Sequence, residues 1–246
     1  MTIASNALAG SLADTGSGVA ARASRRAGAL EPVPGVRWWW RLCRLPCRWF
    51  FVLYLRGRVF ERRHVPGSGG GLLIANHQSF LDPVLAALAL HREAHFMARH
   101  TLFQGGRFDR LIRSLNAFPV KRGTADMAAI KESLRILRAG GLLVAFPEAT
   151  RTRDGSIAPM QPGVVLLARK TGVPLIPTLI LGAFDAWPRH SPLPLPGCVY
   201  VAYGEPLTPA DLAGLSDEEA MTIVRQRILD LLATYAPLRS RALGAR

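Results

Sequence analysis

Acidic side chains are scarce in this 246-residue chain: 17 Asp and Glu stand against 31 Lys and Arg, a formal net charge of +14. That balance argues against a cationic partner and for an anionic one: nucleic acid, an anionic membrane, or a phosphorylated or acidic substrate. Cysteine is scarce too. Three in a chain of this length do not make a disulfide framework, which fits a reducing compartment. No basic stretch precedes an apolar run in residues 1–35, so the pattern of a secretory signal is missing. No G-x-S-x-G elbow occurs, which disfavours a serine hydrolase. The glycine cluster GSGGG at 67–71 lacks the Lys-Ser/Thr of a phosphate loop and precedes a strand, so it reads as a linker. His64, His91, His95, His100 and His190 show no metal-ligand spacing with cysteine, and no metal site is expected. Internal repeats and nucleic-acid-binding fold signatures are also missing.

Hydrophobic residues make up 49% and charged residues 20%, enough to bury a substantial core and to exclude wholesale disorder. The length suits one large domain, or one domain with an appendage. Positive charge is concentrated early. Residues 1–64 hold 11 basic residues, all Arg, against 3 acidic ones. Residues 1–35 are rich in Ala, Gly and Ser without a sustained period and are expected to be disordered.

Residues 36–64 read as an amphipathic, membrane-associating segment. Trp38, Trp39, Trp40, Trp49, Phe50, Phe51 and Tyr54 lie among Arg37, Arg41, Arg44, Arg48, Arg56 and Arg58. The longest uncharged apolar run there, 49–55, falls far short of the ~20 residues a spanning helix needs. Aromatic rings suit the headgroup layer and Arg suits anionic lipid, so the segment should lie in a membrane surface, as two short helices bent near Pro46. The alternative is an amphipathic helix that only covers the rest of the domain.

From residue 65 to 246 short apolar runs alternate with helical stretches. Strands are expected at 71–75, 95–98, 115–120, 142–146, 175–181 and 199–203. Helices are expected at 83–90, with Asp82 as its N-cap, and at 125–138, 163–170 and 217–235. The proline-rich stretch 184–197 reads as a stiff loop. The alternation predicts an α/β domain with a mixed, largely parallel sheet flanked by helices.

Three blocks at expected strand ends carry chemistry. In Asn76-His77-Gln78-Ser79-Phe80-Leu81-Asp82 a histidine can take a proton from a hydroxyl near neutral pH, and a carboxylate five residues on can hold its imidazole. The spacing equally allows Asp82 merely to cap its helix. In Phe118-Pro119-Val120-Lys121-Arg122-Gly123, adjacent cations before a glycine can meet one phosphate, or form a solvated surface pair. In Phe146-Pro147-Glu148-Ala149-Thr150-Arg151, the proline turns the chain so that Glu148, Thr150 and Arg151 lie at the sheet edge beside His77. Arg151 can clamp a phosphate, and Glu148 can accept from substrate hydroxyls or position the Arg. A fourth block, Val173-Pro174-Leu175-Ile176-Pro177, begins an apolar strand.

Together these blocks resemble the PlsC-type glycerolipid acyltransferases, which carry NHxSxxD, a strand-end basic block, FPEGTR and VPxxPV in that order. The resemblance covers residues 70–205. It implies transfer of a fatty acyl group from a thioester, acyl-CoA or acyl-acyl carrier protein, to the hydroxyl of a lysophospholipid, with lysophosphatidic acid the expected acceptor. It makes His77 the catalytic base and Asp82 its partner. Lys121, Arg122 and Arg151 would bind the acceptor phosphate, with Glu148 and Thr150 supporting the acceptor site. Backbone N–H groups near the strand ends would stabilise the oxyanion. No bound cofactor is implied. The expected partners are the lysophospholipid, the thioester donor and an anionic membrane surface at the cytoplasmic face, without nucleic acid. One departure stands out: Ala149 replaces the family's glycine, and its methyl disfavours a positive φ, which opens other acceptors such as a lyso-ornithine lipid. The rival from another class is a non-catalytic polyanion- or membrane-binding protein.

Overall fold

The apolar run GLLIA becomes a central strand because both of its faces are covered. The computed structural model describes residues 37–121, 126–189 and 191–244. Among these the order of elements is α1 (Trp38–Trp49), β1 (Arg58–Phe60), β2 (Gly71–Ala75), α2 (Asp82–Leu88), β3 (Ala94–Arg99), α3 (Gly106–Ser114), β4 (Ala117–Val120), α4 (Met127–Arg138), β5 (Leu142–Ala145), α5 (Val165–Thr171), β6 (Leu175–Leu181), α6 (Ala183–Ala186), β7 (Tyr200–Tyr203) and α7 (Asp217–Gly244). The strands form one sheet in the order β1-β7-β6-β2-β5-β3-β4. β6, β2, β5, β3 and β4 run parallel, β7 is antiparallel to β6, and β1 is parallel to β7. The sheet is therefore mixed and largely parallel, as expected.

β2 shows how the layers close. Leu72 and Ile74 face a core shared with α4, α5 and α7, while Leu73 and Ala75 face a second core shared with α2 and the chain after α1. Side chains alternate across the sheet, and here both alternating sets find apolar cover. Because β6, β2, β5, β3 and β4 are parallel, all five end at one edge. The chain leaves that edge into Gly182, Asn76, Phe146, His100 and Lys121, and ligands of open α/β sheets meet the chain at such an edge.

Several elements differ from expectation. The sheet takes in Arg58–Phe60, inside the stretch read as the membrane-associating segment, so it begins before residue 65. α1 is not split at Pro46; it runs through the proline to Trp49 and ends in a wide π-type turn over Phe50–Tyr54. Pro46 and Leu42 are both exposed, so water can satisfy the carbonyl that the proline's missing N–H leaves behind. Asp82 lies in the first turn of α2 but makes no cap bond; its carboxylate serves the loop before the helix. α3 has no counterpart in the sequence reading. Residues 1–35, read as a disordered tail, lie outside the described residues.

The start of α1 is pinned to the domain. The Arg37 guanidinium donates to both Glu93 carboxylate oxygens and to Asn116 Oδ1, and the Trp39 indole donates to Ser114 Oγ at 2.9 Å. One face of the segment then turns inward: Trp40, Phe51 and Leu55 are buried. Trp38, Leu42, Leu45, Trp49, Val52 and Leu53 are exposed, and recur at the spacing of one helical stripe. No helix among the described residues is long and apolar enough to cross a membrane.

Candidate active site

The chain leaves β2 into Asn76, whose side chain extends the ladder where the backbone stops. Its amide donates to the Ile180 carbonyl at 2.9 Å, and its carbonyl accepts from the Ile180 N–H at 2.7 Å. This clamp fixes where His77 begins. His77 is then held on both sides of its own backbone. Its N–H donates to Glu148 Oε1 at 2.8 Å, and its carbonyl accepts from the Thr152 N–H at 2.8 Å. The ring stacks on Phe146, 4.4 Å between centroids.

His77 Nδ1 lies 2.7 Å from Asp82 Oδ2. The same oxygen accepts the N–H groups of Gln78, at 2.5 Å, and Ser79, at 2.7 Å. Asp82 is fully buried. Burial pushes its carboxyl above the ordinary carboxylate range, and the bonds from His77, Ser79 and Gln78 oppose that rise. An acceptor-only carboxylate assigns the proton to Nδ1, so Nε2 carries the lone pair. With 8% of His77 exposed, Nε2 is the remaining polar atom of the ring. The arrangement can take a proton from an incoming hydroxyl while Asp82 stabilises the imidazolium. The alternative reading of Asp82, a helix cap, is thereby set aside.

Glu148 is committed to backbone donors, the first of them the His77 N–H. Its Oε2 accepts from the Ala158 N–H at 3.1 Å, so each carboxylate oxygen receives a backbone N–H. Glu148 ties the loop after β5 to the loop after β2. Burial, with some help from the Asp82 charge, pushes its carboxyl up, while those backbone bonds pull it down. Thr150 is exposed at the rim. Arg151 is half-buried with its guanidinium 3.5 Å from the centroid of the Phe80 ring, a cation–π stack that orients the fork. Phe80 lies 5.7 Å from the Trp187 ring, and Ser79 Oγ donates to the Trp187 carbonyl at 3.0 Å.

Ala149 adopts φ 61°. The left-handed turn expected of glycine is thus kept with a methyl in place, at a cost of about 1–2 kcal/mol. Lys121 is exposed at the end of β4, three strand positions from β2. At about 4.8 Å per strand it stands roughly 14 Å along the edge from the His77 loop. Arg122 lies outside the described residues. The sequence reading thus placed His77 with Asp82, and Glu148 and Arg151 beside them, at one edge. It missed the roles of Asn76, Ser79 and Phe80, although all three stand in the same block.

A model of the acyltransferase family matches residues 56–181. The chain is 30% identical over 187 residues to a 1-acyl-sn-glycerol-3-phosphate acyltransferase of Bacillus subtilis, covering 73% of this chain and 91% of that protein. It is 29% identical over 120 residues to a chloroplastic 1-acyl-sn-glycerol-3-phosphate acyltransferase of Brassica napus, covering 48% of this chain and 35% of that protein. The crystal structure of the 1-acyl-sn-glycerophosphate acyltransferase PlsC from Thermotoga maritima superposes with a TM-score of 0.69 at 27% identity, over 80% of each chain. A catalytic-type His–Asp pair at the carboxyl edge of the sheet and these matches lead to one conclusion: the chain belongs to the acyltransferase family and is an O-acyltransferase.

Proposed function

We propose that the chain transfers a fatty acyl group from a thioester, acyl-CoA or acyl-acyl carrier protein, to the free hydroxyl of 1-acyl-glycerol-3-phosphate, forming phosphatidic acid at a membrane surface. The observation that carries this reading is the buried 2.7 Å bond between His77 Nδ1 and Asp82 Oδ2 at the end of β2. His77 Nε2 takes the hydroxyl proton as the oxygen attacks the thioester carbonyl, and the thiol leaves with the returned proton. A thioester is already activated, so the step asks for no covalent enzyme intermediate. The oxyanion needs donors, and the N–H groups of His77, Gln78 and Ser79 are already committed to Glu148 and Asp82. Other donors must supply that task.

Arg151, Lys121 and Arg122 are assigned to the acceptor phosphate, Arg151 as the oriented fork and Lys121 as a point charge farther along the edge. Glu148 supports the acceptor site by holding His77 in place, and Thr150 lines the rim. Peripheral attachment at the cytoplasmic face, through the exposed stripe of α1, brings the site to its lipid. Exposed Trp and Arg side chains suit an anionic interface.

The test is acyl transfer by purified protein from an acyl thioester to a panel of lysolipids, read by mass spectrometry. Lysophosphatidic acid should be the preferred acceptor, and Arg151→Lys should weaken its use more than that of a phosphate-free acceptor. Preference for lyso-ornithine lipid or another phosphate-free lysolipid would overturn the acceptor assignment; membrane binding without transfer would return the non-catalytic alternative.

A further inference from the structure

The turn after α1 is stitched to a distant loop. Tyr54 Oη donates to the Pro194 carbonyl at 3.1 Å, and the Val199 N–H donates to the Leu55 carbonyl at 3.0 Å. Arg56 Nε adds a third link, to the Gly197 carbonyl at 3.2 Å. The residues flanking Pro194 are Leu193, 71% exposed, and Leu195, 55% exposed. Those preceding Tyr54 are Val52 and Leu53, and Leu53 is 67% exposed. Two segments about 140 residues apart are thus joined where each exposes large aliphatic side chains. Large aliphatic side chains held in water on both sides of a hydrogen bond are an unusual investment for a surface that meets nothing.

The same loop is rooted in the catalytic block. The Leu195 N–H donates to the Ala186 carbonyl at 2.7 Å, and the Trp187 indole donates to the Ser191 carbonyl at 3.0 Å. Trp187 in turn receives Ser79 Oγ and packs near Phe80. Alternating prolines, Pro192, Pro194 and Pro196, restrict the backbone and hold the two leucines outward at low entropic cost.

We propose that the loop at 191–196 is a second bilayer contact, docked on the tip of the α1 segment, which fixes the height of the His77 loop above the lipid surface. The proposal rests on the membrane-surface reading of α1 and extends it to a part of the chain that carries no aromatic or basic signature of its own. Two observations select an anionic bilayer as the occupant. The Tyr54–Pro194 bond joins the exposed leucines of the loop to the segment that carries the exposed Trp49 and Leu53. Neither segment carries an acidic residue over 37–58 or 187–197, whereas Arg41, Arg48 and Arg189 lie within those ranges. A lone helix lying on a surface can roll about its axis; a second contact on the loop that roots in Trp187 removes that freedom and sets the angle at which acceptor reaches His77.

The experiment compares wild type with the Leu193→Asp, Leu195→Asp double variant and with Leu193→Phe, Leu195→Phe. Each is assayed for flotation with vesicles of phosphatidylglycerol and phosphatidylcholine, and for acyl transfer to lysophosphatidic acid in those vesicles or dispersed in detergent. The Asp variant is expected to lose about tenfold or more of its transfer in vesicles, and to stay within about twofold of wild type in detergent. The Phe variant should match or exceed wild type in vesicles. Equal vesicle activity in all three proteins, with wild type floating, would overturn the loop contact while leaving the α1 reading intact. Equal loss in both media, in a variant whose thermal unfolding matches wild type, would place the loop in catalysis and also overturn it. A wild type that does not float would remove both readings. A shift from dimer to monomer in the Asp variant, without a vesicle-specific loss, would reassign the leucines to a second copy of the chain.

Discussion

The loop after β2 and the outer face of α1 break the usual partition of side chains in opposite directions. In the loop, Asn76, His77, Gln78, Ser79 and Asp82 are buried polar groups, and bonds within the protein hold them: Asn76 to Ile180, His77 to Asp82 and Glu148, Ser79 to Trp187. On the helix, Trp38, Leu42, Leu45, Trp49 and Leu53 are large apolar groups left in water. Buried polar groups and exposed apolar patches are the informative departures from ordinary packing. The first is held almost wholly within the chain, Asp82 Oδ1 alone among the Asp82 oxygens taking no hydrogen bond, and is fitted to move a proton. The second is incomplete within the chain and is fitted to meet a partner. What separates them is not composition but whether the fold supplies the missing contact.

The contrast can be broken on the helix itself, because α1 and its turn have two apolar faces. Phe51→Ala opens a cavity beneath the segment and should cost about 3–5 kcal/mol in denaturant unfolding. Trp49→Asp with Leu53→Asp should leave that unfolding within about 1 kcal/mol yet lose vesicle flotation. Loss of stability in the outer-face variant equal to that in Phe51→Ala would show the outer face to be core, and the membrane reading of α1 would fall. The smallest effect sharpens the loop side. Ala149→Gly relieves the left-handed strain at φ 61° against the greater freedom glycine has in the unfolded chain. A net gain of about 1 kcal/mol or less is expected, seen as a Tm rise of at most ~2–4 °C. A fall in Tm would mean that the methyl packs usefully.

How much of this was legible in the sequence depended on the range of the interaction. β2 and β6 were readable because apolar runs, broken in β6 only by Thr178, mark strands covered on both faces. α3 was not, since GRFDRLIRS leaves Phe108 and Leu111 exposed and presents almost no inward stripe. β1 has three residues in an Arg-rich stretch and owes its strand to pairing with β7, some 140 residues away. Pro46 suggested a break that its place on the exposed face made unnecessary. At the site, His77 and Asp82 are five residues apart and could be paired on paper. The brace from Glu148 reaches back 71 residues to a backbone N–H, and the clamps from Asn76 and Ser79 reach 104 and 108 residues forward. Bonds to backbone carry no residue-type signature at the far end, so no spacing rule reveals them. The strain at Ala149 shows the converse. The alanine suggested an altered turn, but the surrounding bonds, Ala149 N–H to the Phe146 carbonyl among them, hold the turn regardless of the residue.

The central claim is that the His77–Asp82 pair supplies the base for acyl transfer. It is tested most directly by turnover of His77→Ala beside wild type, with acyl thioester and lysophosphatidic acid in detergent, where membrane attachment plays no part. A folded His77→Ala, judged by circular dichroism and thermal unfolding, should lose about 10²–10⁴-fold in rate, and Asp82→Asn should lose as much or less. Turnover near the wild-type rate in folded His77→Ala would contradict the account.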